Sequence, residues 1–478
     1  LSVMVLNWLD VGFAVACIHA LGIAAAIHAV LTVRTSQGAV AWAVSLVTMP
    51  YLTLIPYLFL GRSKFVGYVE ARRARNEALQ SRMGETQWHG EPPVAMEAHP
   101  EFASLTAMTG MSFVAGNRVR LLVNGRATFD AIFAAIDRAR DYVIVQFFIV
   151  KDDALGRALS ARLLARAATG VKVFFLYDSI GSHDLPRSYC ETLRKGGVQV
   201  YEFAAKKRGI VVNRFQLNFR NHRKIVVIDG NEAFIGGHNV GVEYLGEKPP
   251  LAPWRDTHIS VRGPAVVGIQ RAFAEDWHWC TGLVPELNRQ PAASGEDMHC
   301  QVVPSGPADR LETSSLFFVT AINAAQKRVW LTTPYFVPDE AVFSALRLAV
   351  LRGVDVRLLI PDRADHYVVF EATTSYAYEA ARSGINVYRY RHGFNHQKVV
   401  LIDDSAAAVG SANLDNRSFR LNFEIMLLTV DRGFADDVAY MLTNDFEHAT
   451  LLNKDDFRKL PRWRQIVMRV SRLFAPIL

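Results

Sequence analysis

The stretch Asn221-His222-Arg223-Lys224-Ile225-Val226-Val227-Ile228-Asp229-Gly230-Asn231-Glu232-Ala233-Phe234-Ile235-Gly236-Gly237-His238-Asn239 decides how this chain is read. His222, Lys224 and Asp229 follow the spacing H-x-K-x4-D, and Gly236 to Asn239 closes it. Ile225 to Ile228 is a short β-branched run stopped by Asp229-Gly230, which predicts a buried strand ending in a turn. Side chains alternate faces along a strand, so His222 and Lys224 project together. An imidazole beside an ammonium suits a phosphate: one attacks or moves a proton, the other holds the anion.

The chain repeats the pattern. His396, Lys398 and Asp403 are again H-x-K-x4-D, and Gly410-Ser411-Ala412-Asn413 again closes it. His222 to Asn239 and His396 to Asn413 are each 17 positions. One copy is weak evidence, since a strand with a surface histidine has the same spacing; two copies with matching tails are not chance.

The doubled H-x-K-x4-D…G-[GS]-x-N pattern resembles the phospholipase D superfamily. Its flanks, Leu217-Asn218-Phe219-Arg220-Asn221 and Asn413-Leu414-Asp415-Asn416-Arg417-Ser418-Phe419-Arg420-Leu421-Asn422-Phe423-Glu424, are similar to the bacterial cardiolipin synthase branch. The resemblance covers nearly the whole chain. It implies an α/β fold of two tandem phospholipase D-like domains, each a mixed sheet flanked by helices. They would pack face to face around a shared central site, after an N-terminal two-helix transmembrane hairpin.

The residues outside the motifs agree with a repeat. In the first half Val119–Val123, Tyr142–Val150, Gly170–Tyr177 and Val198–Phe203 read as strands, alternating with helical stretches 127–140, 155–168 and 185–195. In the second half 329–333, 353–360 and 385–390 read as strands between helical stretches 313–326, 340–352 and 368–382. Such alternation predicts a layered α/β sheet. The expected boundaries are 1–61 for the membrane segment, 62–110 for a basic juxtamembrane linker, 111–285 and 286–450 for the two domains, and 451–478 for a basic amphipathic end.

Val11 to Val33 is an uncharged run, long enough for a bilayer core that needs roughly 20 residues. Ala39 to Leu60 is a second uncharged run, in which Pro50 and Pro56 are tolerable within a membrane. No basic segment precedes the first run, which disfavours a secretory signal. His19 and His28 read as tolerated polar residues, and Trp42, Tyr51 and Tyr57 as interfacial anchors. Basic residues crowd after Leu60, so the positive-inside rule expects a multi-pass protein of the bacterial cytoplasmic (inner) membrane with its catalytic domains facing the cytoplasm.

Half of the 478 residues are hydrophobic and 21% are charged, with a formal charge of +7. Residues 62–82 carry a net +4 and residues 451–478 a net +5, so the remainder is slightly acidic at −2. Such a body lacks the basic face that nucleic acid requires, and basic ends suit anionic lipid headgroups. Trp463, Ile466, Val467, Val470, Leu473 and Phe474 recur at helical spacing among arginines, a helix that would pack on the body or lie in the headgroup layer. Cys17, Cys190, Cys280 and Cys300 suggest no disulfide framework, and the spacing of His278, Cys280, His299 and Cys300 fits no metal pattern.

No H-E-x-x-H or tight carboxylate cluster is present, so no metal and no cofactor is expected. Lys224, Asn239, Lys398, Ser411 and Asn413 are then the candidates for holding the phosphate. Two histidines permit a two-step displacement through a phosphohistidine. The resemblance makes His222 the nucleophile and His396 the acid and base, although near-symmetry leaves those labels exchangeable. It also implies an acidic residue after each closing segment to orient a histidine, for which Asp256 and Glu424 are the candidates. Asp229 and Asp403 complete the catalytic motifs but, beyond the strand, should brace turns. His238 reads as structural.

The implied activity is cardiolipin synthesis, in which phosphatidyl transfer from one phosphatidylglycerol to another releases glycerol. The partners would be phosphatidylglycerol, other anionic phospholipids and the bilayer, with no nucleic acid; a homo-oligomer is possible. The competing readings are a membrane-bound phospholipase D or phosphodiesterase that uses water, and a lipid-binding protein without catalysis.

Overall fold

A computed structural model describes residues 8–33, 36–61, 98–203, 219–292 and 294–475. The expected basic stretch 62–82 lies outside them. The chain divides into two units, Leu1–Val69 with Ala205–Phe219, and Glu70–Ala204 with Arg220–Leu478.

In the first unit α1 (Trp8–Thr32) packs with α2 (Ser36–Thr48) and α3 (Pro50–Leu60). Ala26, Ala29, Leu46 and Tyr57 form its small core. His28 and His19 each share a 2.7 Å hydrogen bond with a tyrosine of α3, Tyr57 and Tyr51. Among the described residues only α1 is long and apolar enough to cross a membrane. The run 39–60, expected as one second span, is divided at Met49 into α2 and α3. Pro50 is the cause: it drives the residue before it out of the helical region, and Met49 sits at φ −134° and ψ 54°.

The second unit is built on one large mixed sheet and two short two-stranded sheets. Its first half supplies β1 (Val114–Val123), β2 (Tyr142–Phe147), β3 (Lys172–Asp178), β4 (Gln199–Phe203), β5 (Arg220–Asn221), β6 (Ile225–Ile228), β7 (Glu232–Gly236), β8 (Trp254–Arg255) and β9 (Thr257–Arg262). The second half supplies β10 (Met298–Ser305), β11 (Arg328–Thr332), β12 (Phe336–Val337), β13 (Asp355–Pro361), β14 (Asn386–Tyr390) and β15 (Phe394–Asn395). After these come β16 (Val399–Ile402), β17 (Ala406–Gly410), β18 (Leu414–Asp415), β19 (Asn422–Val430) and β20 (Ala449–Leu451).

Outward from the centre, the first half runs β1-β9-β7-β6-β2-β3-β4 and the second β10-β19-β17-β16-β11-β13-β14-β20. The corresponding pairs have the same sense. β6 and β16 are antiparallel to β2 and β11, while β2-β3-β4 and β11-β13-β14 are parallel. Each half encloses its own apolar core, one around Phe129, Phe147 and Phe175, the other around Phe317, Phe336 and Phe343. The two halves of the sheet are continuous: antiparallel β1 and β10 join them edge to edge across an irregularity between Val114 and Asn117. From that seam β7 and β9 come against β17.

The motif strands β6 and β16 are fully buried four-residue runs. Asp229 and Asp403 follow them at φ 51° and 52°, a region that Asp tolerates better than most residues. The C-terminal helix Arg462–Arg472 packs on the helix Tyr367–Arg382. Met468, Ser471 and Ala475 face inward, Arg464 lies 3.2 Å from Glu371, and Arg472 pairs with Glu379. Trp463, Ile466, Val470, Leu473 and Phe474 are exposed.

Candidate active site

Each motif histidine is held by the other half of the repeat. Short β5 pairs in parallel with β19, Arg220 opposite Asn422 and Asn221 opposite Phe423, and the His222 N–H donates to the Phe423 carbonyl at 2.9 Å. In the second half β15 pairs in parallel with β8, and the His396 N–H donates to the Arg255 carbonyl at 2.8 Å. The residue after each of those carbonyls is a fully buried carboxylate, Glu424 and Asp256 respectively. His222 Nδ1 lies 2.9 and 3.0 Å from the two Glu424 oxygens, and His396 Nδ1 lies 2.7 Å from Asp256 Oδ2. Sequence expected these acids to orient histidines; the structure brings each to the imidazole of the opposite half.

The carboxylates are themselves fixed, by different means. Glu424 accepts from Ser411 Oγ at 2.5 Å, Ser418 Oγ at 2.9 Å and Asn422 Nδ2 at 3.1 Å. Asp256 accepts from the Thr257 N–H at 2.8 Å and Trp254 Nε1 at 3.4 Å. Gly237 occupies the place that Ser411 has in the other half, and a Cβ there would stand 2.0 Å from Asp256 Oδ1. Ser411, expected at the phosphate, is thus an anchor of Glu424, because its hydroxyl is fully buried behind that carboxylate.

Burial lowers the pKa of both imidazoles to about 4, with Lys224 and Lys398 adding to the effect and the carboxylates opposing it. Burial also pushes Glu424 and Asp256 upward, but the imidazoles and lysines facing them and the hydrogen bonds they accept outweigh it, and both stay below the usual carboxylate range. Each pair is therefore a neutral imidazole whose Nδ1–H donates to an ionised carboxylate, which leaves the Nε2 lone pair for chemistry.

His222, His396, Asn239 and Asn413 line one cavity of about 560 Å³. Asn239 Oδ1 accepts from the Ile149 N–H at 3.1 Å, and its Nδ2 donates to Tyr244 Oη at 3.1 Å. The lysines, expected as phosphate ligands, stand behind the histidines, almost wholly buried. Lys224 Nζ donates to the His222 carbonyl at 2.7 Å; Lys398 Nζ donates to the His396 carbonyl and lies 3.0 Å from His396 Nδ1. Burial pulls Lys224 well below its usual range and Lys398 to about 8.

Asp229 and Asp403, counted with the catalytic motifs but expected to brace turns, do brace them. Asp229 accepts the backbone N–H groups of Arg140, Asp141 and Tyr142 at 2.8–3.0 Å. Asp403 does the same for Gln326, Lys327 and Arg328 at 2.7–3.1 Å. Neither lines the cavity. Each ties the turn after its motif strand to the start of the neighbouring antiparallel strand, β2 or β11. His238, expected to be structural, is buried with its Nδ1 3.2 Å from His258 Nδ1.

Sequence reasoning missed a layer beneath the histidines. Arg223, between His222 and Lys224, pairs with Asp276 at 2.9 Å and donates to the Glu424 carbonyl at 3.0 Å. Arg255 holds Asp445 through two bonds of 2.7 and 2.8 Å and donates to the Asp256 carbonyl at 2.9 Å. Gln397 links Asp445 to Thr257. The available signal was an acid placed before an aromatic near the end of a helical stretch, Asp276-Trp277 and Asp445-Phe446.

Residues 132–248 and 318–449 match the family described as "Cardiolipin synthase, PLD-like domain", and residues 20–62 match "Phospholipase_D-nuclease N-terminal". Cardiolipin synthase A of Pseudomonas aeruginosa is 60% identical over 466 residues, covering 96% of this chain and 95% of the relative. Cardiolipin synthase A of Pseudomonas putida is 56% identical over 472 residues and covers 98% of each. A solved phosphatidylserine synthase of Haemophilus influenzae, 15% identical, covers 80% of this chain and all of its own with a TM-score of 0.59, a likeness of fold.

Proposed function

The chain belongs to the cardiolipin synthase family with PLD-like domains, and from that premise we propose that it joins two phosphatidylglycerols into cardiolipin and glycerol at the cavity between His222 and His396. The observation that carries this is the exchange of carboxylates. Glu424 on His222 and Asp256 on His396 orient two imidazoles from different halves toward one cavity. On this reading residues 111–285 and 286–450 are the two domains and the cavity is their common site.

His222 Nε2 attacks the donor phosphorus. The P–O bond to the headgroup breaks, His396 delivers a proton to the departing glyceroxide, and a phosphatidyl group remains on His222. His396 then takes the proton of a terminal hydroxyl on the second phosphatidylglycerol. That oxygen bonds phosphorus, the P–N bond breaks, and cardiolipin leaves. Asn239 and Asn413 line the cavity as candidate donors to the phosphoryl oxygens, and the buried Lys224 and Lys398 charges offset its negative charge from behind. Both imidazoles are neutral before substrate arrives; as the phosphodiester anion binds it raises the proton affinity of His396, whose Nε2 takes up from water the proton that it then delivers.

The supporting experiment is a trap. Phosphatidylglycerol labelled at phosphorus, mixed briefly with the protein and quenched in alkali, should leave label on His222 and none in His222→Ala. Product analysis then separates acceptors, since phosphatidate without cardiolipin means that water completes the second step.

The membrane reading is a two-helix hairpin in the bacterial inner membrane, with α1 as one span and α2 with α3 as the return, and the catalytic unit on the cytoplasmic side. The length of α1, its hydrogen bonds to α3 and the net +4 of residues 62–82 support it. The C-terminal helix would meet the same anionic surface with Trp463, Ile466, Val470, Leu473 and Phe474. Its inward side is pinned by Arg464 and Arg472, and Arg462 and Arg469 are exposed beside the apolar stripe.

A further inference from the structure

Entering and leaving groups at phosphorus stand roughly in line. With His222 attacking, the headgroup alcohol departs on the side of His396, and the acceptor hydroxyl enters from that side once glycerol has left. Groups that line the cavity beside His396 therefore meet the headgroups of both lipids in turn. What the two headgroups share there is the middle hydroxyl of glycerol, free in donor and acceptor alike.

The wall on that side departs from the symmetry of the repeat. Tyr244 lines the cavity, its ring 6.4 Å from that of His396 and 4.9 Å from that of Trp254. It follows Asn239 by five positions, as Ser418 follows Asn413, but Ser418 Oγ is committed to Glu424. Tyr244 Oη accepts from Asn239 Nδ2 at 3.1 Å, and its own O–H meets no acceptor among the described residues. Burial pushes its pKa up, with the charges of Glu243, Asp256 and Asp365 adding, so the hydroxyl stays a donor.

Asp365 stands near it. Glu243, Asp365 and Asp415 are the carboxylates that line the cavity among the described residues. Glu243 is paired with Lys151, and Asp415 caps the helix Asn416–Arg420 by accepting the Ser418 N–H at 2.7 Å. Asp365 accepts from Tyr335 Oη and, at 2.7 Å, from the His366 N–H. No lysine or arginine pairs with it among the described residues, and the exposed His366 ring stands 4.0 Å away. Its charge acts on Tyr335, Tyr244 and Lys398, the lysine behind His396. A carboxylate with two bonds has lone pairs to spare. In a cavity that takes phosphodiesters its charge opposes a phosphate beside it, so it suits the neutral, hydroxyl-bearing part of the substrate.

We infer that Asp365 and Tyr244 form the headgroup pocket: Asp365 accepts the middle hydroxyl of glycerol, Tyr244 donates to that hydroxyl's oxygen, and Tyr335 fixes the carboxylate. The pocket rests on the phosphatidyl-transfer reading and adds the contact that selects a polyol headgroup. It also gives the two histidines different surroundings, with the headgroup alcohol on the side of His396.

The test removes the middle hydroxyl alone. Full-length protein in mixed micelles is given phosphatidylglycerol, or the analogue whose headgroup is 1,3-propanediol, each labelled at phosphorus. Label on the protein is followed by rapid quench. The unaltered protein should be labelled about 10- to 100-fold faster from phosphatidylglycerol, the range of a hydrogen bond to a charged group. Asp365→Ala should bring the two rates together by slowing phosphatidylglycerol, and Asp365→Asn, which keeps an acceptor without the charge, should fall between. Tyr244→Phe should narrow the ratio about 2- to 10-fold, as for a neutral hydrogen bond. If Asp365→Ala takes label from neither lipid, the other two variants decide by the same ratios. Equal rates in the unaltered protein overturn the pocket, and so does a ratio that the variants leave unchanged. Faster labelling from phosphatidylethanolamine than from phosphatidylglycerol, lost in Asp365→Asn, also overturns it, because the carboxylate then serves an ammonium. No label from any of these lipids in the unaltered protein would instead sink the transfer reading beneath it.

Discussion

Glu424 and Asp256 give the site its protonation state, and pH should expose this. Protonation of His222 near 4 removes the attacking lone pair, and deprotonation of Lys398 near 8 removes a charge behind the phosphate. His396 must at the same time hold a proton, so kcat/KM should fall already from about 4 upward and more steeply beyond about 8, where Lys398 loses its charge. Lys398→Arg, which does not titrate, should remove that added fall; an unchanged steepening would assign it elsewhere. Stability carries the same sign on the acid side. The imidazoles have folded pKa values near 4 against an ordinary 6.5, so between those values the unfolded chain binds more protons and stability falls as pH falls. Glu424→Gln keeps an acceptor oxygen but loses the charge facing the imidazole. By analogy with other carboxylate-oriented histidines, phosphoenzyme formation should slow about 10²- to 10⁴-fold in rapid-quench assays.

At the scale of elements, the site depends on two-residue strands. β5 on β19 and β15 on β8 are too short to hold by their ladders alone, and the buried pairs Arg223–Asp276 and Arg255–Asp445 brace them from below. Asp445→Ala leaves a buried guanidinium uncompensated, at a cost of about 3–5 kcal/mol. Thermal unfolding in detergent should show a Tm lowered by several degrees, together with lost turnover. Gly237→Ala forces a Cβ into Asp256 Oδ1, so it should abolish activity with a smaller effect on Tm. The motif strands and their turns were legible in sequence, because periodicity and Asp-Gly are local signals. The braces were not. His222 and Glu424 lie 202 positions apart, and His396 and Asp256 140, and no local pattern says which acid serves which histidine. The lysines misled for a related reason: strand alternation put them on the histidine face without saying that they lie behind the rings. The run 39–60 misled because hydropathy sees length and not the break that Pro50 imposes at Met49.

For the whole molecule, the repeat was readable from matching motif intervals, but the continuous sheet through β1 and β10 was not, since neither strand carries a motif. The C-terminal helix turns an apolar stripe outward, which the proposed reading sets against lipid. Ile466→Glu with Leu473→Glu should reduce turnover on phosphatidylglycerol vesicles several-fold more than on short-chain phosphatidylglycerol dispersed in detergent. Equal losses on both substrates would remove the lipid surface from the account.

The crossed carboxylates have a consequence for synthesis of the protein itself. A polypeptide emerges from the ribosome N-terminus first, and its domains fold in that order. When His222 takes its place, Glu424 has not yet been translated, and when His396 appears the acid that completes its partner is still to come. On the mechanism proposed above, a half-made chain therefore holds no oriented nucleophile, and phosphodiesters become its substrates only after Glu424 has been made.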